Sequence, residues 1–154
     1  MKKALLVLVV LLVSTSAFAQ VQYRTEAKFV CGKLDTPEIE AYAFAPGVYY
    51  TSINVTNPND QGDVDGRKRF SIGLLNQKPG KFTGWVTWAL RPGETMQVDC
   101  GDIYRNLGVA PGTFIDGFVH FVGAPVRFGV TSVYTLTDGS RAVSQDVVPS
   151  VLRP

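Results

Sequence analysis

One histidine and two cysteines are the whole supply of imidazole and thiol in this 154-residue sequence. A zinc centre needs three or four His, Cys or carboxylate ligands at tight spacing, so that class is set aside. The Gly-x-Ser-x-Gly pattern is absent, and with it the local signature of a nucleophile elbow. Beyond the first residues there is no further long apolar run, and no internal repeat, low-complexity tract or dividing linker. Helical patterning is nearly missing too. Its one candidate is Gly101–Leu107, with Asp102 near the start and Gly108 just past the end, which reads as a connecting turn.

What is present begins with an export label. Lys2 and Lys3 precede an unbroken apolar run, Ala4 to Val13, and the segment closes on Ala17-Phe18-Ala19. That is a positive start, a short apolar stretch and a small-x-small cleavage site, so residues 1–19 are expected to be a cleaved signal peptide. Ten apolar residues reach only about 15 Å as a helix, roughly half a bilayer core, so no transmembrane anchor is expected after cleavage. The expected product is residues 20–154, a single exported domain in the periplasm or outside the cell. Removing nineteen of the 154 residues leaves 135, a size suited to one core.

Export also changes the charge. The precursor has fifteen Lys plus Arg against thirteen Asp plus Glu, and two of those lysines leave with the leader. The remainder is balanced. The pI of 8.6 therefore argues for neither nucleic acid nor an acidic membrane as partner.

Both cysteines, Cys31 and Cys100, stay in the exported part, where an oxidising compartment favours a disulfide between them. Period-two alternation puts Ala27 and Phe29 in phase with Cys31, and Met96 and Val98 in phase with Cys100, as a core bridge between strand ends requires.

Pro-Gly occurs at 46–47, 79–80, 92–93 and 111–112, each time before a β-rich segment. Proline sets φ for the first central position of a type II turn and glycine accepts the positive φ of the second. Between these marks, strands are expected at 21–31, 47–57, 67–76, 83–90, 94–100, 113–123, 126–137 and 141–149. In them Tyr49, Ile53 and Val55, then Phe70, Ile72 and Leu74, then Val126, Phe128 and Val130 face inward. Asp138-Gly139 predicts a hairpin into the last strand. Eight short strands and one helical turn imply an all-β chain, an immunoglobulin-like antiparallel β-sandwich, with a small closed barrel as the competitor.

The segments Lys28-Phe29-Val30-Cys31-Gly32, Ala45 to Pro58, Leu90-Arg91-Pro92-Gly93-Glu94 and Val98-Asp99-Cys100 together resemble a group of uncharacterised secreted bacterial β-proteins. Asp116-Gly117-Phe118-Val119 and Ser132-Val133-Tyr134-Thr135 extend the likeness over most of the exported part. The resemblance implies a bacterial, exported, single-domain sandwich. It brings no catalytic residue.

Candidate chemistry is sparse. His120 would need a neighbouring nucleophile and an orienting acid to act in hydrolysis, and nothing close in sequence supplies them; it reads as a hydrogen-bonded or surface residue. Gln61, Asp63 and Asp65 ahead of Gly66 echo the first half of a calcium loop, where alternate side-chain oxygens point at one ion. The twelfth position is Ile72, which has no carboxylate, and Arg67, Lys68 and Arg69 follow at once, so a solvated loop is the preferred reading and no metal or cofactor is assigned. The same three basic residues read as a charged edge that discourages strand pairing. Trp85 and Trp88 suggest sugar stacking, yet three positions apart on a strand they face opposite ways, so one packs and one is exposed. Tyr42, Tyr49, Tyr50 and Phe82 could complete a platform.

The functional expectation is a non-enzymatic exported binding, adhesion or envelope-associated module whose partner is a protein or glycan of the cell envelope. The alternative is a carbohydrate-active or hydrolytic protein using carboxylates such as Asp99, Asp102 or Asp116.

Overall fold

The computed structural model describes residues 22–35, 44–60, 62–74, 78–138 and 142–147. The expected leader, Tyr42 and Gln61 lie outside them. Within them the chain runs β1 (Tyr23–Leu34), β2 (Gly47–Thr56), β3 (Val64–Gly73), β4 (Pro79–Phe82), β5 (Val86–Leu90), β6 (Thr95–Asp99), α1 (Cys100–Leu107), β7 (Ile115–Ala124), β8 (Gly129–Thr137) and β9 (Ala142–Val147).

Nine strands stand where eight were expected: β4 at Pro79–Phe82 falls between the expected strands, the segment expected at 83–90 holds β5 alone, and the two share one edge of β3. β5 pairs with β3 at 64–68 and β4 pairs with it at 71–73. β3 also begins and ends earlier than the pattern predicts. Val64 is fully buried and opens it; pairing with β4 ends at Gly73, so Leu74 is exposed rather than inward. Phe70 is buried and Ile72 packs against the core, as expected.

Two antiparallel sheets result. Sheet A runs β1, β7, β3 and then the β4/β5 edge; sheet B centres on β2, flanked by β8 and β9 on one side and by β1 and β6 on the other. The first strand belongs to both. Residues Tyr23–Cys31 pair with β7, and Gly32–Leu34 pair with β2. Gly32 makes that switch possible: its φ of 95° lies in the left-handed region, and a Cβ there would meet Thr113 O at 2.2 Å. No strand pairing closes the outer edges onto one another among the described residues, so the architecture is an open sandwich and not a barrel.

Alternation places the core between the sheets. Phe29, Phe70, Val119 and Phe121 from sheet A meet Ile53, Val55, Val98 and Val130 from sheet B, and Ile103 and Leu107 of α1 close the side. Val126 and Phe128 join this core as expected. Tyr49 is inward too, but in a second cluster with Val30 and Leu34, where its ring meets Phe44 and Phe114 edge-on.

The Pro-Gly pairs divide. Arg91–Glu94 and Ala110–Thr113 are closed turns, with Glu94 N–H donating to Arg91 O (3.0 Å) and Thr113 N–H to Ala110 O (3.2 Å). Gly93 and Gly112 there have φ of 76° and 87°. Pro79-Gly80 instead opens β4, and Gly47 opens β2. The helix is as read, one residue longer. Asp99 caps it, accepting from Asp102 N–H at 2.9 Å, and Gly108 ends it in the left-handed conformation.

Candidate functional site

Cys31 and Cys100 are joined by a disulfide, and their place in the fold explains the bridge. Two strands lie end to end along one edge of β2: β1 opposite 47–49 and β6 opposite 52–56. The gap between them falls beside Thr51. There the bridge spans from β1 to the start of α1, and Thr51 N–H donates to Cys100 Sγ at 3.2 Å. An open groove of about 630 Å³ lies over this junction, walled by Val48, Tyr50, Val133, Pro111 and Tyr104. Its carboxylate, Asp99, is already used as the helix cap.

The sequence-derived carboxylates do not form a working pair. Asp99 and Asp102 complete a reciprocal capping box, and Asp102 also holds Arg105. Asp116 is in an ion pair with Lys28 at 3.3 Å. Of the calcium candidates, Asp65 lies in β3, not in a loop, and Asp63 is exposed just ahead of it. The turn is organised by Asn57 instead, fully buried, whose amide donates to Gly62 O (3.1 Å) and Leu90 O (3.0 Å). No cluster of three His, Cys, Asp or Glu side chains gathers among the described residues.

The tryptophans part as strand geometry requires. Trp88 is 8% exposed, packs edge-on against Phe128 at 5.3 Å and lies over Gly66, where a Cβ would meet its ring at 2.3 Å. Trp85 is 40% exposed. Its surroundings were not legible in the sequence. Arg67 and Arg69 both stack on its ring, at 4.9 and 4.7 Å, and Arg69 also reaches Phe82, 68% exposed, at 5.9 Å. Tyr49 and Tyr50 do not join them; one is buried and the other faces the groove of sheet B.

This corrects the charged-edge reading of residues 67–69. β3 is paired on both sides, with β7 on one and β4/β5 on the other. Arg67 and Arg69 share its outer face, while Lys68 has the opposite parity and is half-buried, and burial holds its ammonium below the ordinary lysine value. Neither Arg67 nor Arg69 has a carboxylate partner among the described residues.

Register fills out the same face. Arg69, His120 and Glu26 lie opposite one another across β3, β7 and β1; Phe82, Ser71, Phe118 and Lys28 form the adjoining row. His120 is hydrogen-bonded at the surface, as its sequence context suggested. Its partners are the finding: Ser71 Oγ lies 2.8 Å from Nε2, and Glu26 Oε1 lies 2.7 Å from Nδ1. They come from positions 49 and 94 residues away, beyond the reach of any local motif.

No family model and no curated protein matches the chain. Among solved structures, Thermotoga maritima 1070 is similar over 84% of this chain and 91% of its own, with TM-score 0.49 and 9% identity. At that distance it says nothing about chemistry. Among the described residues, no helix is long and apolar enough to cross a membrane.

Proposed function

We propose that the chain is an exported binding module of the cell envelope that engages an acidic glycan through the outer face of sheet A. The observation that carries this reading is the Arg67–Trp85–Arg69 stack. An exposed indole offers a flat surface for a sugar ring, and two guanidiniums without carboxylate partners among the described residues offer bidentate donors to carboxylate or sulfate groups. Stacking pre-orients both arginines, which lowers the side-chain entropy lost on binding. A paired sheet is a rigid platform for such a face. The disulfide beside Thr51 fits residence in an oxidising compartment, and the leader-like N-terminus supplies the route.

A glycan array with acidic and neutral polysaccharides, followed by titration of the hits, tests this. Acidic glycans should bind with an affinity that falls as salt rises. Trp85→Ala, or Arg67→Ala with Arg69→Ala, should weaken binding about tenfold or more, in line with the roughly 0.5–2 kcal/mol of a cation–π contact plus the lost ionic contacts. Absence of acidic-glycan binding, or binding that ignores both variants, would overturn the reading.

A further inference from the structure

The outer face of sheet A holds a second arrangement that glycan contact does not require. We propose that Ser71, His120 and Glu26 form a nucleophilic site that hydrolyses carboxylic esters of small apolar acyl groups. This goes beyond the non-enzymatic module expected from the sequence and stands whether or not a glycan binds.

The geometry is that of an activated serine. A neutral imidazole carries one N–H and one lone pair. With Nδ1–H donated to Glu26 Oε1 at 2.7 Å, the lone pair is on Nε2, 2.8 Å from Ser71 Oγ, where it can take the hydroxyl proton. Among the described residues the one other acceptor bonded to that hydroxyl is Phe118 O, at a longer 3.4 Å. Three strands of one sheet fix the three groups: β3 brings Ser71, β7 His120 and β1 Glu26. Each side chain stands on a paired backbone, so the spacing follows from register and not from a mobile loop.

The surroundings suit an apolar acyl group. Ser71 is opposite Phe82 on one side and Phe118 on the other, and both rings are exposed, 68% and 40%. A hydroxyl between two phenyl walls receives a short acyl chain while the alcohol portion remains in water.

Ser71 Oγ bonds to the ester carbonyl carbon as its proton passes to His120 Nε2, and the carbonyl oxygen becomes an oxyanion. The carbon–oxygen bond to the alcohol then breaks, and the alcohol leaves with the proton from Nε2. Water repeats the sequence on the acyl-serine: its proton goes to Nε2, its oxygen bonds to the carbonyl carbon, and Ser71 Oγ departs, recovering the proton. The net change is ester plus water to acid plus alcohol, with nothing oxidised or reduced. Glu26 stays ionised and stabilises the imidazolium at each stage. Phe70 N–H donates to the Thr83 hydroxyl and Ser71 itself is paired between Phe82 and Phe118, so the cation assigned to the oxyanion is Arg69, two residues before Ser71 on the same face of β3 and opposite His120. A side-chain donor in place of backbone N–H groups sets a modest turnover.

Incubation of the purified protein with a fluorophosphonate and with p-nitrophenyl butyrate tests the site, and neither probe contains a glycan. One covalent adduct should appear by intact mass and map to Ser71, with hydrolysis of the nitrophenyl ester. Ser71→Ala should take no label and lose hydrolysis to background; His120→Ala should lower both about a hundredfold, the scale of general-base assistance. Glu26→Gln should lower them less. Far-ultraviolet circular dichroism checks that each variant is folded. An unlabelled wild type, an adduct mapped elsewhere, or undiminished hydrolysis by folded Ser71→Ala would overturn the proposal.

Discussion

Thr51 and Val30 hold each other reciprocally: Val30 N–H donates to Thr51 Oγ1 at 2.9 Å, and that hydroxyl donates back to Val30 O at 2.8 Å. Val30 pairs within sheet A and Thr51 lies in the middle of sheet B, so one buried hydroxyl replaces a missing strand neighbour. Thr51→Val keeps the shape and strands two backbone groups. It should cost about 2–4 kcal/mol, one to two unsatisfied buried groups, whereas Thr51→Ser should cost much less; urea unfolding of both measures the difference.

The Cys31–Cys100 bridge closes a loop of sequence separation 69. Chain-entropy reasoning gives about 4 kcal/mol for that length. Paired Cys31→Ala and Cys100→Ala substitutions should lower stability by up to this amount. Thiol labelling of the denatured, unreduced protein should find no free sulfhydryl, and two labelled cysteines would contradict the bridge.

Gly32→Ala combines a left-handed φ with a Cβ 2.2 Å from Thr113 O, inside any tolerable contact. It should destabilise by about 3 kcal/mol or more, because the switch of β1 between sheets must shift. Gly93→Ala, also at positive φ but with nothing near its Cβ, should cost only the backbone strain of about 1–2 kcal/mol. Thermal melts of the two variants compare the terms directly.

Burial raises the phenols of Tyr49, Tyr104 and Tyr134 above the ordinary 10.0 and lowers the Lys68 ammonium below 10.5. The signs oppose. Above pH 10 the unfolded chain loses its tyrosine protons first, so the three phenols make stability fall as pH rises. Lys68 acts the other way, since the unfolded chain holds its proton up to 10.5 and stability climbs toward that value. Three groups against one give a net alkaline loss. Urea midpoints across this range should decline, and Tyr104→Phe with Tyr134→Phe should flatten the decline.

Trp85 and Trp88 should be separable by quenching. Iodide should reach the exposed Trp85, and do so readily given the cationic side chains stacked on it, while Trp88 is buried against Phe128. Trp85→Phe should remove the quenchable component of the fluorescence and leave a blue-shifted, protected remainder.

Much of the scaffold was legible because its signals are local. Alternation located eight strands and their inward residues, with the four-residue β4 and Leu74 as the misses, since only the β3–β4 register says where pairing stops. The Gly108 stop is fixed by neighbours within a turn, while the cap proved to be Asp99, with Asp102, the acidic residue read near the start, completing the box at the third helical position. Trp85 and Trp88 separate by parity alone. The faces were a different matter. Residues 67–69 read as a sheet edge because nothing local reveals that β3 is flanked on both sides.

By itself the chain order determined an all-β domain, one short helix, an in-phase cysteine pair and a tryptophan turned each way, all consequences of period and of turn chemistry acting over a few residues. The tertiary structure alone decided that β1 serves two sheets, that Trp85 is stacked between Arg67 and Arg69, and that His120 stands between Ser71 and Glu26. Those relations depend on strand order and register, which are set by burying both inner faces at once, and no window of consecutive residues contains that condition.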